Sequence, residues 1–260
     1  MKRIATLLTT LILTASAAGT LYASAPIDPP PLPPKQPSKQ IALVIDDFGN
    51  DMLGTKEMME LPIPFTAAVM PFLPTTKRDA EWAHQLGRDV IIHLPMEPKR
   101  GKKSWLGPGA ITTDLTDEEV RERVLAAIQD VPHAIGMNNH MGSKVTADER
   151  IMRIILTICK EKGLFFLDSR TTDKSKVGQI AHELGVPTAE NHLFMDDIYS
   201  RGHIIKQALK VQKHVKEHET TVVIGHVGPP GKHTAAVLKE SIPTLQQLGA
   251  TFTPVSKLVK

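Results

Sequence analysis

Beyond residue 40 the chain alternates short, unbroken apolar runs with longer stretches whose apolar positions recur every three or four residues. Runs of the first kind read as strands buried on both faces, and stretches of the second kind as helices packed against them. The pattern predicts strands at 41–45, 65–69, 90–93, 134–137, 164–168, 188–190 together with 193–195, 221–225 and 251–253. Helices are predicted between them at 51–61, 75–86, 116–129, 147–162, 177–184, 202–218 and 233–248. Gly163 and Gly185 follow the last apolar residue of their helices, and Thr116 with Glu119 three positions on spells a capping box. Seven or eight βα units in one run imply an all-parallel sheet with helices outside it, and the count suits a distorted parallel β/α barrel better than an open sheet. One stretch, residues 97–113 (EPKRGKKSWLGPGAITT), is too long for an ordinary connection and is expected to lie over the barrel mouth. Its Trp105 suits a packing anchor for that loop better than a sugar-stacking platform.

Composition narrows the picture. At 260 residues the chain can bury a full core, and residues 41–260 read as one barrel domain. The 31 Lys and Arg are scattered among 28 acids, for a net charge of +3, and aromatics make up only 4% of residues, so nucleic-acid binding is not supported. Residues 1–25 read as an export signal: Lys2 and Arg3, an apolar stretch, then small residues, with cutting after Ala25 or near Ala17 or Ala18. The segment is too short and too polar for a membrane span, so no stable span is expected after signal cleavage. Residues 26–40 are Pro-rich and read as an extended spacer, and the expected destination is the periplasm or the outside of the cell. Cys159 is the single cysteine, which excludes an intrachain disulfide, and its helical context reads as a buried thiol.

Chemistry-bearing residues fall at the C-terminal ends of the predicted strands, where parallel β/α folds place their sites. Asp46-Asp47 ends the first strand; on that stretch alone, a solvated turn and a metal ligand beside a base fit equally well. His93 with Glu97, Asn138-Asn139-His140, Asp168, Asp196-Asp197 and His226 follow at later strand ends. A single His at a strand end is usually structural; three at equivalent ends with a double Asp point to a divalent metal, zinc above others, with an open position for water. Such an ion activates water and polarises a carbonyl, with a carboxylate as base and a further His as acid, which is what amide or ester hydrolysis requires. Asn138 and Asn139 suit either turn satisfaction, sugar binding or a hold on Asp46. Asp196-Asp197 suits a helix N-cap better than a site role.

At these residues the chain resembles the polysaccharide deacetylase superfamily, and within it the divergent branch of exported bacterial proteins. The resemblance runs from about Gln40 to Lys260 in motif order. VIDDFG is similar to the family's Asp-Asp-Gly motif, which implies Asp46 as catalytic base and Asp47 as metal ligand. His93 matches the first His of a His-x-x-x-His metal motif, and IGHVGPPG the last-strand motif, which implies His226 as general acid. Two departures stand out: Glu97 replaces the second metal His, and GMNNHMGS stands where the family carries an Arg- and Pro-rich segment. The expected metal set is therefore Asp47, His93 and His140, with Glu97 as a partner behind the metal or an alternative ligand to His140, and Asn139 and Asp168 behind it or toward the substrate. Asp168 falls near the motif whose carboxylate tunes the acid His. The resemblance implies removal of acetyl groups from N-acetylated sugars of a cell-wall or surface glycan, peptidoglycan among the candidates. The alternative is a carbohydrate-binding or envelope-scaffolding protein that has lost turnover on the same fold.

Overall fold

The computed structural model describes residues 39–260. The export segment and all but the last two residues of the Pro-rich stretch lie outside the described residues. The chain runs β1 (Lys39–Phe48), α1 (Thr55–Met59), β2 (Thr66–Val69), α2 (Thr76–Gln85), β3 (Asp89–Met96), α3 (Asp117–Asp130), β4 (Ala134–Met141), α4 (Glu149–Lys162), β5 (Phe165–Asp168), α5 (Val177–Leu184), β6 (Thr188–Glu190), β7 (Leu193–Phe194), α6 (Arg201–Glu217), β8 (Thr220–His226), α7 (Gly231–Gln247) and β9 (Ala250–Thr253). Every strand pairing is parallel, in the order β6-β5-β4-β3-β2-β1-β8-β7. β1 shares one edge between two partners, β9 along residues 39–42 and β2 from Val44 onward.

The sheet curls as expected of a distorted β/α barrel, and it stays open between β6 and β7, which are consecutive in sequence yet unpaired. The segment around 188–195 therefore makes two short strands rather than one unit, bringing the total among the described residues to nine. β1, β3 and β4 run three or four residues beyond their apolar runs, so their polar residues sit inside the ladder rather than after it. Helix α1 is much shorter than the predicted 51–61. Gly54 is left-handed (φ 87°) and lies against Gly231, with a Cβ at Gly54 falling 2.5 Å from the Gly231 carbonyl carbon, so the chain cannot enter a helix earlier. The capping box of α3 is present as predicted.

Period-two alternation sorts each strand between two cores. Ile41, Leu43 and Ile45 face the helices, together with Ile92, Leu94, Met137 and Phe166. Ala42, Val44, Ile91, Phe165, Leu167, Val222 and Ile224 fill the barrel interior, which Val255, Leu258 and Val259 of the C-terminal segment also enter. Continuing the inward set toward the mouth gives Asp46, His93, Asn138, His140 and His226. Continuing the outward set gives Asn139 and Asp168. Among these residues alternation decides which can meet.

Candidate active site

Asp47 breaks the alternation. It follows inward-facing Asp46 and should point away, but its backbone is left-handed (φ 71°) and the β1–β2 register shifts between Ile45 and Phe48. This bulge returns its carboxylate to the mouth. A non-glycine residue held at positive φ carries strain, here at a strand end that also bears Asp46. The turn is fixed from below by buried Asp79, whose Oδ2 accepts bonds from the Gly49 N–H (2.9 Å) and the Thr75 hydroxyl (2.8 Å).

Asp47 Oδ1, His93 Nε2 and His140 Nδ1 form a triangle with sides of 3.0, 3.1 and 3.2 Å. The outer nitrogens fix the tautomers. The Asn138 amide donates through Nδ2 to Asp46 Oδ1 at 2.9 Å, so its Oδ1 must accept from His93 Nδ1 at 2.8 Å. The Trp105 carbonyl likewise accepts from His140 Nε2 at 3.0 Å. In its neutral form each ring therefore turns an unprotonated nitrogen toward Asp47 Oδ1, itself buried and, with both rings neutral, without a hydrogen-bond donor despite the short separations. Three lone-pair atoms at this spacing require added protons or a cation between them. Tetrahedral zinc, with bonds of about 2.0–2.2 Å, sets its ligand atoms roughly 3.3–3.5 Å apart, so the triangle fits such an ion after an adjustment of a few tenths of an ångström. The two outer bonds are the kind that orient metal-binding imidazoles. Burial opposes the Asp47 carboxylate, but His140, His93 and His226 outweigh it and hold its pKa well below the usual range. Burial also opposes a charged His93, and Asp46 and Asp47 reverse that and raise it.

Asp46 and His226 flank the triangle. Asp46 is 1% exposed; its Oδ2 lies 3.6 Å from His93 Nε2 and 4.0 Å from His226 Nε2. Burial raises its pKa, against the pull of His93 and His226. His226 is backed by Asp196, whose Oδ1 accepts from its Nδ1 at 2.7 Å, while Oδ2 accepts from the His226 N–H (2.9 Å) and the Thr234 hydroxyl (2.7 Å). Burial disfavours the imidazolium, yet the bond to Asp196 and the charges of Asp196, Asp47 and Asp46 lift its pKa to about 10. Nε2 is thus left as a proton-bearing group facing Asp46.

The residues expected behind the metal fall elsewhere. Glu97 accepts from the Thr113 N–H and hydroxyl and from Lys144 Nζ, all at 2.8 Å; it anchors the 97–113 loop and does not join the triangle. Asn139 faces outward and ties the β4 end to the next loop through the Ser169 N–H and the Met141 carbonyl. Asp168 also faces outward, accepts from the Arg170 N–H, and does not meet His226. The carboxylate beside the acid His is Asp196, so its N-cap reading fails: Ser200 caps α6. Trp105 is 57% exposed, which corrects its reading as an anchor; Leu106 and Ile111 are the buried residues of that loop. The loop after β7 adds Tyr199, exposed and close enough to Asp47 and Asp196 that, after burial, their charges help raise its pKa. Nothing in the strand pattern pointed to Tyr199. For Asn138 and Asp196 the signal was available, as an inward position and as a carboxylate after a strand.

The model of the family described as divergent polysaccharide deacetylase matches residues 43–259. The chain belongs to that family. An uncharacterised protein of Haemophilus influenzae is 36% identical over 208 residues, covering 80% of this chain and 72% of that one. The uncharacterised YibQ of Escherichia coli is 30% identical over 221 residues, 85% of this chain and 66% of its own length. Among solved structures, an uncharacterised Agrobacterium tumefaciens protein superposes with a TM-score of 0.79 at 17% identity, over 85% of this chain and 89% of that one. The catalytic domain of a peptidoglycan N-acetylglucosamine deacetylase from Eubacterium rectale gives 0.53 at 16%, over 86% and 90%. A wild-type CE4 family pseudoenzyme from Bacillus anthracis gives 0.50 at 15%, over 85% and 65%. At these identities the structural likeness establishes the deacetylase-type barrel and nothing finer.

Proposed function

We propose that this family member is an exported, metal-dependent hydrolase that removes acetyl groups from N-acetylated sugars of a cell-wall or surface glycan, with peptidoglycan the leading candidate. The observation that carries the reading is the Asp47–His93–His140 triangle, tautomers fixed from outside, with an oriented carboxylate on one flank and a protonated imidazole on another. A divalent ion held there, zinc by preference for its imidazole and carboxylate donors, would polarise the acetyl carbonyl and activate a water. Asp46 serves as base: Asn138 occupies its Oδ1 and leaves Oδ2 to take the proton of the attacking water. His226, its ring oriented by Asp196, gives its Nε2 proton to the departing sugar nitrogen. Residues 1–25 would act as the export signal and 26–40 as the spacer, placing the barrel in the periplasm or outside the cell.

The test is metal analysis followed by acetate release from chitooligosaccharides or peptidoglycan fragments. Wild type should retain about one zinc after reconstitution, Asp47→Ala should retain none, and wild type alone should release acetate. Equal, negligible zinc in both proteins would end the metal-site reading. A second reading, a glycan-binding or scaffolding protein without turnover, is favoured by Glu97 in place of the second metal His and by the pseudoenzyme among proteins of this fold. Metal-loaded protein that binds fragments and releases no acetate would establish it.

A further inference from the structure

The 97–113 loop presents an aromatic ring and several cations together at the mouth. The Trp105 ring is exposed, yet its backbone is held by the bond from His140 Nε2 to its carbonyl and by the burial of Leu106 and Ile111. A solvent-facing indole on so firmly tied a segment contributes little to packing and offers a rigid flat face. Lys102 Nζ lies 5.7 Å from the centre of that ring. Lys99 and Arg100 are exposed earlier on the same loop; the Lys99 N–H is bonded to Ser143 Oγ at 2.9 Å, and its Nζ reaches Thr172 Oγ1 at 3.5 Å. Ion pairs on this rim join Lys144 to Glu97 and Arg170 to Glu190, so the charges of Lys99, Arg100 and Lys102 come in addition to those pairs. The sequence scatters its cations, but these three stand within four residues of one another on the loop whose Trp105 carbonyl is bonded to His140 Nε2.

We propose that Trp105, Lys99, Arg100 and Lys102 form a subsite for a carboxylate-bearing sugar. The apolar face of the ring stacks on the indole, and the carboxylate lies among the three cations. A neutral sugar would use only the first of these contacts, so the subsite selects acidic glycans over neutral ones of equal length. The inference rests on the deacetylase reading of the mouth, and it deepens that reading by assigning the class of glycan.

Binding and turnover are measured separately on zinc-reconstituted protein. The probes are N-acetylchitotetraose, a tetrasaccharide alternating N-acetylglucosamine with N-acetylmuramic acid, and the same tetrasaccharide with its carboxylates amidated. At low salt the acidic tetrasaccharide should bind about tenfold more tightly than either neutral probe, the sum of three modest charge contacts. That advantage should shrink with added salt. Lys99→Gln/Arg100→Gln/Lys102→Gln should abolish the difference while retaining zinc, and Trp105→Ala should weaken all three probes about fivefold. Equal affinity of wild type for the acidic and amidated probes overturns the proposal, and since that comparison uses one unaltered protein, misfolding cannot mimic it. Equal binding of polyglutamate, insensitive to Trp105→Ala, also overturns it, because the rim would then be a general anion surface. Acetate release from all probes without discrimination would sink this inference and leave the deacetylase reading standing; selective binding without release would do the reverse.

Discussion

Replacing Asp196 by Asn tests whether the carboxylate behind His226 sets its proton affinity. In the wild type the folded ring titrates at about 10, against about 6.5 for an ordinary histidine, a difference whose ceiling is roughly 5 kcal/mol. A charge-assisted bond contributes about 1.5–3 kcal/mol and a neutral one about 0.5–1.5, so Asp196→Asn should lower the His226 pKa by about 1 unit. The asparagine keeps the Oδ1 acceptor but sets an NH2 donor against the His226 N–H, which in the wild type donates to Asp196 Oδ2 at 2.9 Å, at a further cost of about 1–3 kcal/mol to folding. The folded pKa lies above the unfolded value, so this group's contribution to stability is fully present below about pH 6.5. It is lost as pH rises toward about 10. Heteronuclear NMR titration of His226 in metal-free protein, with chemical denaturation at pH 6, 8 and 9.5, reads both effects. The variant should show a lower pKa and a flatter loss of stability across that window. An unchanged His226 pKa would refute the assignment of Asp196 as the positioning residue for the acid.

Three further outcomes follow from the geometry. His140→Ala should strip zinc from the protein as completely as Asp47→Ala, whereas Glu97→Ala should retain it, because Glu97 is engaged by Thr113 and Lys144; plasma mass spectrometry after dialysis distinguishes the two, and zinc loss in Glu97→Ala would return Glu97 to the ligand set. Asn138→Leu removes the donor to Asp46 and the acceptor for His93 at once, so zinc affinity should fall about 10–100-fold with activity falling further, while Asn139→Leu should lower the melting temperature and leave zinc affinity within about threefold; competition with a chelator reads this. A Cβ at Gly136 would fall 2.5 Å from the Phe165 ring inside the barrel, so Gly136→Ala should destabilise the fold by about 1–3 kcal/mol by denaturant titration, and a neutral result would show that the ring can move aside.

The fold was legible because buried parallel strands write themselves as apolar runs, and the predicted element order matches the observed one throughout the described residues. The departures have local causes. The first helix is shortened by the Gly54–Gly231 approach, a contact between residues far apart in sequence that no window along the chain reveals. At the mouth, sequence position was a weaker guide than alternation. Asn138 and Asn139 are adjacent and chemically identical, but period two sends only Asn138 inward: counting from Met137, which faces the helices, separates the two, and counting from Phe165 sets Asp168 outside. Asp47 shows the opposite failure. Strict alternation would discard it, and only the bulge with its left-handed backbone brings it back. The Asp196–His226 pairing joins two strand ends that lie 30 residues apart, and nothing in either local stretch specifies it.

The exchange of a second metal histidine for Glu97 ties the ligand set to the loop above it. In the family pattern both imidazoles come from one segment, four residues apart. Here Pro95 pairs with His140 and His93 with Asn138 across β3 and β4, so His93 and His140 are diagonal neighbours on one inward face. The second imidazole is thereby carried by a strand rather than a connection. Strand placement frees position 97, and Glu97 spends its carboxylate on Thr113 and Lys144, closing the base of the 97–113 loop. That loop in turn lowers the Trp105 carbonyl onto His140 Nε2 and fixes the tautomer with which His140 faces Asp47. Glu97 and His140 are therefore linked through one loop, which Glu97 holds at Thr113 and His140 meets at Trp105. The metal triangle depends on the loop for the orientation of one ligand, and the loop's exposed Trp105 depends on the triangle for its place at the mouth. A loop kept in that position only for shape would not need its carbonyl on a metal-binding ring. The orientation of His140 and the place of Trp105 at the mouth are thus coupled through one hydrogen bond.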